Sequence, residues 1–209
     1  MAGGAISYAR PMLPAGDVAL VQLVDAALAD AARRAGDRLA CGPGCTQCCH
    51  GAFAISALDA ARLRAQMTAL DADNAALAAS VRERAMAWIA AQAEEFPGDA
   101  ATGVLGTSED EQVRFEDFAN EAACPALNPT TGHCDVYVGR PMTCRVFGPP
   151  VRNEGGGIGH CELCFQGAPT AEVVACEMHV PHDLEAELLA EMMDDRETVV
   201  AYALVQSRV

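Results

Sequence analysis

Apolar residues recur every three or four positions over much of the chain, so the pattern predicts helices separated by stretches dense in Gly, Pro and Cys. Asp17 precedes Val18, Val21, Val24 and Leu28, which predicts a helix capped by Asp17 and ending near Gly36. Ser56, with Asp59 three residues on, resembles a capping box opening a helix through Leu58, Leu63 and Met67. A third helix carries Leu77, Val81, Trp88 and Ile89, with Ala85 filling between, and breaks at Pro97-Gly98. Residues 97–112 are Gly-rich and acidic without periodicity and read as a solvated loop, followed by an amphipathic piece over 113–123. From Asp183 a long helix is expected through Leu184, Leu188 and Met192 to Val199 and Tyr202; its methionines share no spacing with Cys or His and read as packing groups. No internal repeat is visible.

Composition agrees with a mainly α fold. The 209 residues are 51% hydrophobic, much of that Ala, with one Trp and three Tyr. That length suits one compact domain, read as a helical segment over 1–40, a cysteine-rich part with a helical hairpin over 41–165, and a helical segment over 166–209. The expected architecture is a helical domain clasping irregular cysteine-rich loops that form a metal site.

Charge then removes whole classes of function. A net charge of −15 argues against nucleic acid or an anionic membrane surface as partner. All fourteen basic residues are Arg, so there is no P-loop, Schiff-base or general-base Lys. The run from Glu154 to Gly159 lacks the strand and helix that a phosphate cradle needs. Residues 1–10 do not read as a secretory signal, and no run approaches the roughly 18 apolar residues of a spanning helix. The expectation is a cytoplasmic protein with reduced thiols; a protein partner is not indicated.

The chemistry lies in the cysteines. Cys41, Cys45, Cys48 and Cys49 fall within ten residues, interleaved with Gly42, Pro43 and Gly44 and followed by His50. Gly and Pro let the backbone curl so that sulfurs converge, as in a thiolate metal site. A disulfide between Cys48 and Cys49 would be strained, and buried packing fits poorly in a loop. Adjacent side chains diverge from regular backbone, so either this loop is irregular or the two thiols serve different sites. A second group, Cys124, Cys134 and Cys144, is spaced evenly through turn-forming sequence, and Cys161, Cys164 and Cys176 complete the ten. Ten thiols suffice for two four-thiolate centres, or for one centre and a structural or redox remainder. The first two groups lie about 75 residues apart, so the helices between them must fold back as a hairpin.

Neighbouring residues add detail. His50, His133, His160 and His179 each lie within three residues of a Cys; a histidine ligand, with His50 and His160 the candidates, would favour zinc or mononuclear iron over an all-thiolate cluster. Arg140 and Arg145 either offset thiolate charge or pair with surface carboxylates. Glu162 and Glu177 are the carboxylates near the last cysteines, but neither sits in a hydrolytic motif.

Taken in order, Cys41-x3-Cys45-x2-Cys48-Cys49, Cys124-Pro125-x-Leu127, Cys134-x2-Tyr137-x2-Arg140-Pro141-x2-Cys144-Arg145 and Cys161 resemble the YkgJ-type cysteine-cluster family, which carries the CxxCxxCC zinc- or iron-chelating domain. The resemblance spans roughly residues 41–165; Cys164 and Cys176 lie outside its firm part. It implies a bound iron–sulfur cluster, iron or zinc, held by Cys41, Cys45, Cys48, Cys49, Cys124, Cys134, Cys144 and Cys161, without implying one reaction. We add Cys164 as a ligand, Cys176 as a further candidate, and Arg140, Arg145 and Tyr137 as residues around the ligands.

Three functions follow from this reading: a metal-binding protein with an iron–sulfur, iron or zinc centre; an S-adenosylmethionine-dependent or radical-type modifying enzyme, since some relatives resemble flagellin lysine-N-methylases and Cys41-x3-Cys45-x2-Cys48 has the radical-enzyme spacing; or a metal store or delivery protein. The absence of alternating strands and helices weighs against the second.

Overall fold

The computed structural model describes residues 13–153 and 155–206. Helix α1, Asp17–Ala35, opens the described chain and ends at Gly36, whose φ of 51° suits a residue without a side chain. Its buried face is Leu20, Val24, Ala31 and Ala35. Val18 is exposed, contrary to expectation, because six residues before Val24 lies about 120° round the helix. Asp17 is not the cap either: Gly16 holds that position, while Asp17 is buried against Arg62.

A two-residue strand β1, Ala54–Ile55, leads into α2, Ala57–Asp73, where the Ser56 hydroxyl accepts the Asp59 backbone N–H at 3.2 Å. That much of the expected box is present. The Asp59 carboxylate turns elsewhere, accepting from Arg62 and from the Met142 backbone N–H at 2.9 Å. Asn74 alone separates α2 from α3, Ala75–Gln92, and caps it by accepting the Leu77 N–H at 3.1 Å. The two form the expected hairpin, packing Leu63, Met67 and Leu70 against Ala78, Val81 and Ala85.

The segment 97–112 departs from a solvated loop. Strands β2, Gly98–Asp99, and β3, Val104–Leu105, make a tight hairpin, and α4, Glu109–Asp117, starts under a complete capping box of Ser108 and Glu111. Aromatic burial holds it: Phe96 stands 5.6 Å from Phe118 and 5.1 Å from Tyr202, whose hydroxyl donates to the Ala100 carbonyl. These partners are distant in sequence, which hid the element.

After α4 come the short helix α5, Met142–Val146, the hairpin of β4, Val151–Arg152, with β5, Ile158–Gly159, and α6, Thr170–Ala175. The long final helix expected from Asp183 is instead two. Helix α7, His182–Met192, ends at Met193 in the left-handed conformation, φ 51°. The chain then forms β6, Thr198–Val199, antiparallel to β1, before α8, Val200–Val205. Helix α8 buries Val200, Ala203 and Leu204 against the α2–α3 hairpin, while α1 and α7 pack on α2 through Leu20, Leu58, Leu188 and Met192. The described fold is mainly α with paired two-residue strands, and none of its helices is long and apolar enough to cross a membrane.

Candidate metal centre

The first cysteine group is built from turns. Cys45 N–H donates to Gly42 O at 3.0 Å, Gly44 has φ 90°, and a 3₁₀ turn over Gln47–Cys49 is closed by Cys49 N–H to Thr46 O at 2.8 Å. In this irregular backbone the adjacent thiols of Cys48 and Cys49 come within hydrogen-bonding reach of each other. Of the two expectations for that pair, the structure shows the irregular loop.

The second group is stitched directly to the first. Cys124 N–H donates to Cys49 O at 2.7 Å, Gly51 N–H donates to Ala122 O at 2.9 Å, and His50 bridges to Ala123. Cys124 and Cys134 are in turn joined by a ladder in which Leu127 pairs with Cys134 and Asp135 N–H donates to Ala126 O at 2.9 Å. Cys144 sits on α5, anchored through the Met142–Asp59 bond. Cysteines 75 residues apart therefore meet.

Seven of the ten cysteines, Cys41, Cys45, Cys48, Cys49, Cys124, Cys134 and Cys144, line a single cavity of about 600 Å³. Its other walls include Leu39, Phe53, Leu63, Trp88, Phe147 and Val199. All ten thiols are free. Among the described residues, no three His, Cys, Asp or Glu side chains stand close enough together to enclose one ion as placed. The donors share a cavity rather than a closed shell.

Cys161, Cys164 and Cys176 do not line that cavity. They are buried with Ala35 and Phe165, and Cys41, Leu39 and Phe147 pack on them. The histidines divide unexpectedly: His133 lines the cavity, whereas His50 and His160, both exposed, face backbone oxygens with Nδ1, Thr46 O at 3.1 Å and Cys161 O at 3.0 Å. Glu177 is engaged by Arg152 at 2.6 Å and Glu162 by Gln47 at 3.3 Å.

Burial governs the thiols. It pushes Cys124 up to about 11, with the Cys134 and Cys48 charges adding to it and the N–H groups of Ala126 and Leu127 pulling back. Cys41 is likewise pushed up to about 11, first by burial and then by Cys45 and Cys48. Cys144 and Cys134 are raised chiefly by burial, and Cys48 chiefly by its bond with Cys49. The Arg140 guanidinium partly offsets the shift at Cys134. Thiols held this way stay protonated near neutrality until a cation favours the thiolate.

Arg140 and Arg145 are tied to a carboxylate that the sequence did not single out. Arg145 donates to both Asp25 oxygens at 2.8 and 2.9 Å and Arg140 to one at 3.1 Å, while the Arg140 guanidinium lies 4.0 Å from the centre of the Tyr137 ring. Arg140 and Arg145, which line the cavity, are thus fixed from α1, and the exposed Tyr137 ring, also on the cavity wall, stacks on Arg140. Arg84 on α3 performs the same task for the second group, donating to Asp135 at 2.6 Å and to Pro125 O at 2.9 Å. Each left a trace in the sequence: Asp25 and Arg84 are charged residues on otherwise apolar stripes, beside Val21 and Leu28 and beside Val81.

The cysteine series is what a family model recognises. The match runs over residues 40–164, more than half of the chain, and the family is described as "Putative zinc- or iron-chelating domain". The chain belongs to the CxxCxxCC family. No curated protein and no solved structure matches it. Within the CxxCxxCC domain the structure brings the first and second cysteine groups together and sets Cys161 and Cys164 at its edge. The donor chemistry, free half-buried thiols from three segments in a mainly apolar cavity, fits a thiophilic metal such as zinc or iron.

Proposed function

We propose that this CxxCxxCC protein holds an iron–sulfur cluster or iron, with zinc as the alternative, through the thiols facing the shared cavity. The observation that carries the reading is the convergence of seven free cysteines from three separate segments on one cavity. Bound there, iron or a cluster would supply redox or Lewis-acid chemistry. The chain's own residues do the rest: the seven cavity cysteines offer the donors, Arg140 lowers the cost of charging Cys134, and the apolar walls limit water. Anaerobic purification with metal and acid-labile sulfide analysis, followed by visible and electron paramagnetic resonance spectra, separates cluster, lone iron and colourless zinc. Protein without iron or zinc under both aerobic and anaerobic conditions would end the proposal.

The cavity also supports a second reading. Its volume of about 600 Å³ lies in the range of small-molecule sites, roughly 300–1,000 Å³, and exceeds what one ion needs. An organic molecule beside the metal, as in an S-adenosylmethionine-dependent modifying enzyme, would use that room and the aromatic faces of Trp88 and Phe53. Calorimetric titration of the metal-loaded protein with S-adenosylmethionine tests it, and no heat would remove it.

A further inference from the structure

Two of the cysteines outside the cavity stand together as a pair. Cys161 and Cys164 flank Glu162 and Leu163 in a turn closed by Cys164 N–H donating to Cys161 O at 2.8 Å, and the two thiols come within hydrogen-bonding reach of each other. A four-residue turn of this kind holds its end Cα atoms less than about 7 Å apart, within the span of a disulfide. Both thiols are free. Among the described residues no third His, Cys, Asp or Glu side chain joins them to complete an ion's shell. Two sulfurs in reach of one another, without further donors, make a dithiol.

The surroundings hold both ends of that turn. Cys161 N–H donates to Gly148 O at 3.2 Å, and the backbone N–H groups of Ala40 and Cys41 hydrogen-bond to the Cys164 sulfur. Next to it Phe165 adopts a left-handed backbone, φ 54°, with its N–H on Arg38 O at 2.8 Å and its ring buried among the same cysteines. A bulky residue keeps such a conformation only where its neighbours fix it. Cys164 is 1% exposed and Cys161 7%, while Glu162 and Leu163 between them are exposed. The pair therefore lies just beneath an exposed tip, with Cys161 the more accessible sulfur.

We propose that Cys161 and Cys164 form a reversible dithiol–disulfide couple, a redox site separate from the cavity, which exchanges with low-molecular-weight disulfides. The seven cavity cysteines take no part in it. The Cys161 sulfur gives its proton to solvent and attacks the incoming disulfide, whose S–S bond breaks; a mixed disulfide forms at Cys161 and one small thiol leaves. The Cys164 sulfur then loses its proton, attacks the Cys161 sulfur and displaces the second small thiol. Two protein thiols are oxidised to one disulfide, and one small disulfide is reduced to two thiols. Excess small thiol drives the same steps backwards.

Equilibration of the full-length, anaerobically purified protein in glutathione redox buffers, then alkylation and digestion with a glutamate-specific protease, tests this. Cleavage after Glu154, Glu162 and Glu172 puts Cys161 on residues 155–162 and Cys164 on 163–172, and leaves Cys176 on 173–177. In oxidised buffer the first two peptides should be recovered joined by a disulfide, with Cys176 alkylated and the protein's metal content unchanged; reduced glutathione should return them as separate alkylated peptides. Cys164→Ala should stop at a glutathione adduct on Cys161. The wild-type map decides even where that variant fails to fold: both cysteines alkylated in oxidised buffer, or either one joined to Cys41 or Cys176 instead, overturns the proposal. Joining that occurs only after a chelator has stripped the metal would overturn it as well, by making the two sulfurs ligands.

Discussion

A buried thiol with a raised pKa is a ligand that must lose a proton to bind. Cys41 and Cys124, both pushed up to about 11, are protonated near neutrality, so loading displaces protons and affinity should rise with pH, by roughly tenfold per unit for each proton displaced. Competition against a coloured chelator on either side of neutrality measures this; an affinity indifferent to pH would contradict it. The same shift acts on the metal-free fold with a definite sign. A thiol raised from 9.0 to about 11 favours the native state fully below pH 9, and that contribution fades as pH rises through 11. Replacing one donor is a simpler probe. Cys124→Ser should lower metal content at the cavity and lower the melting temperature, because site assembly is coupled to folding. Unchanged metal content would remove Cys124 from the donor set.

At the scale of elements, the loops are held in place by charged residues reaching out of helices. Arg62 lies buried between Asp17 on α1 and Asp59 on α2, and Asp59 in turn receives the backbone N–H of Met142, two residues before Cys144. Burial pushes Asp59 up to about 6 against the pull of Arg62, so the stability contributed by its raised pKa is complete below about 3.8 and is lost as pH rises through 6. Arg62→Ala would leave both carboxylates without their partner and should cost about 3–5 kcal/mol at neutral pH. Urea denaturation measures that loss, which should shrink under mildly acidic conditions as the Asp59 carboxyl protonates; a cost below about 1 kcal/mol would show the triad to be incidental. Gly148→Ala is expected to cost roughly 1–3 kcal/mol, since φ 123° strains any side chain and Cys41 stands in the way. Here the limits of the sequence are also visible. The α2–α3 hairpin was legible because Leu63, Met67, Val81 and Ala85 repeat at helical spacing, and Ser56 marks a start. The β2–β3 hairpin was not, because Phe96, Phe118 and Tyr202 stabilise it across more than a hundred residues. The break between α7 and α8 was missed for a similar reason: Val199 leaves the helix to pair with Ala54.

For the whole molecule, the arrangement is a helical frame that carries the cysteine loops between its ends. Helix α1 through Asp25 and α2 through Asp59 both fix the 140–145 segment, and α3 through Arg84 fixes the segment from Pro125 to Asp135, so the second cysteine group is anchored on three helices. The convergence of the first two cysteine groups was expected from the sequence on the premise of a shared metal site, with the helical hairpin between them as its geometric consequence. The separate place of Cys161, Cys164 and Cys176, and the choice of His133 rather than His50 or His160 to line the cavity, were not, since side-chain direction in irregular backbone has no periodic signature. The central claim is that sulfur from these loops binds the metal. X-ray absorption at the iron and zinc edges of the anaerobically purified protein tests it most directly. Metal–sulfur scattering near 2.3 Å is the expected result for a zinc-type thiolate shell, with a comparable sulfur shell at iron; a coordination shell of oxygen and nitrogen alone would contradict the account.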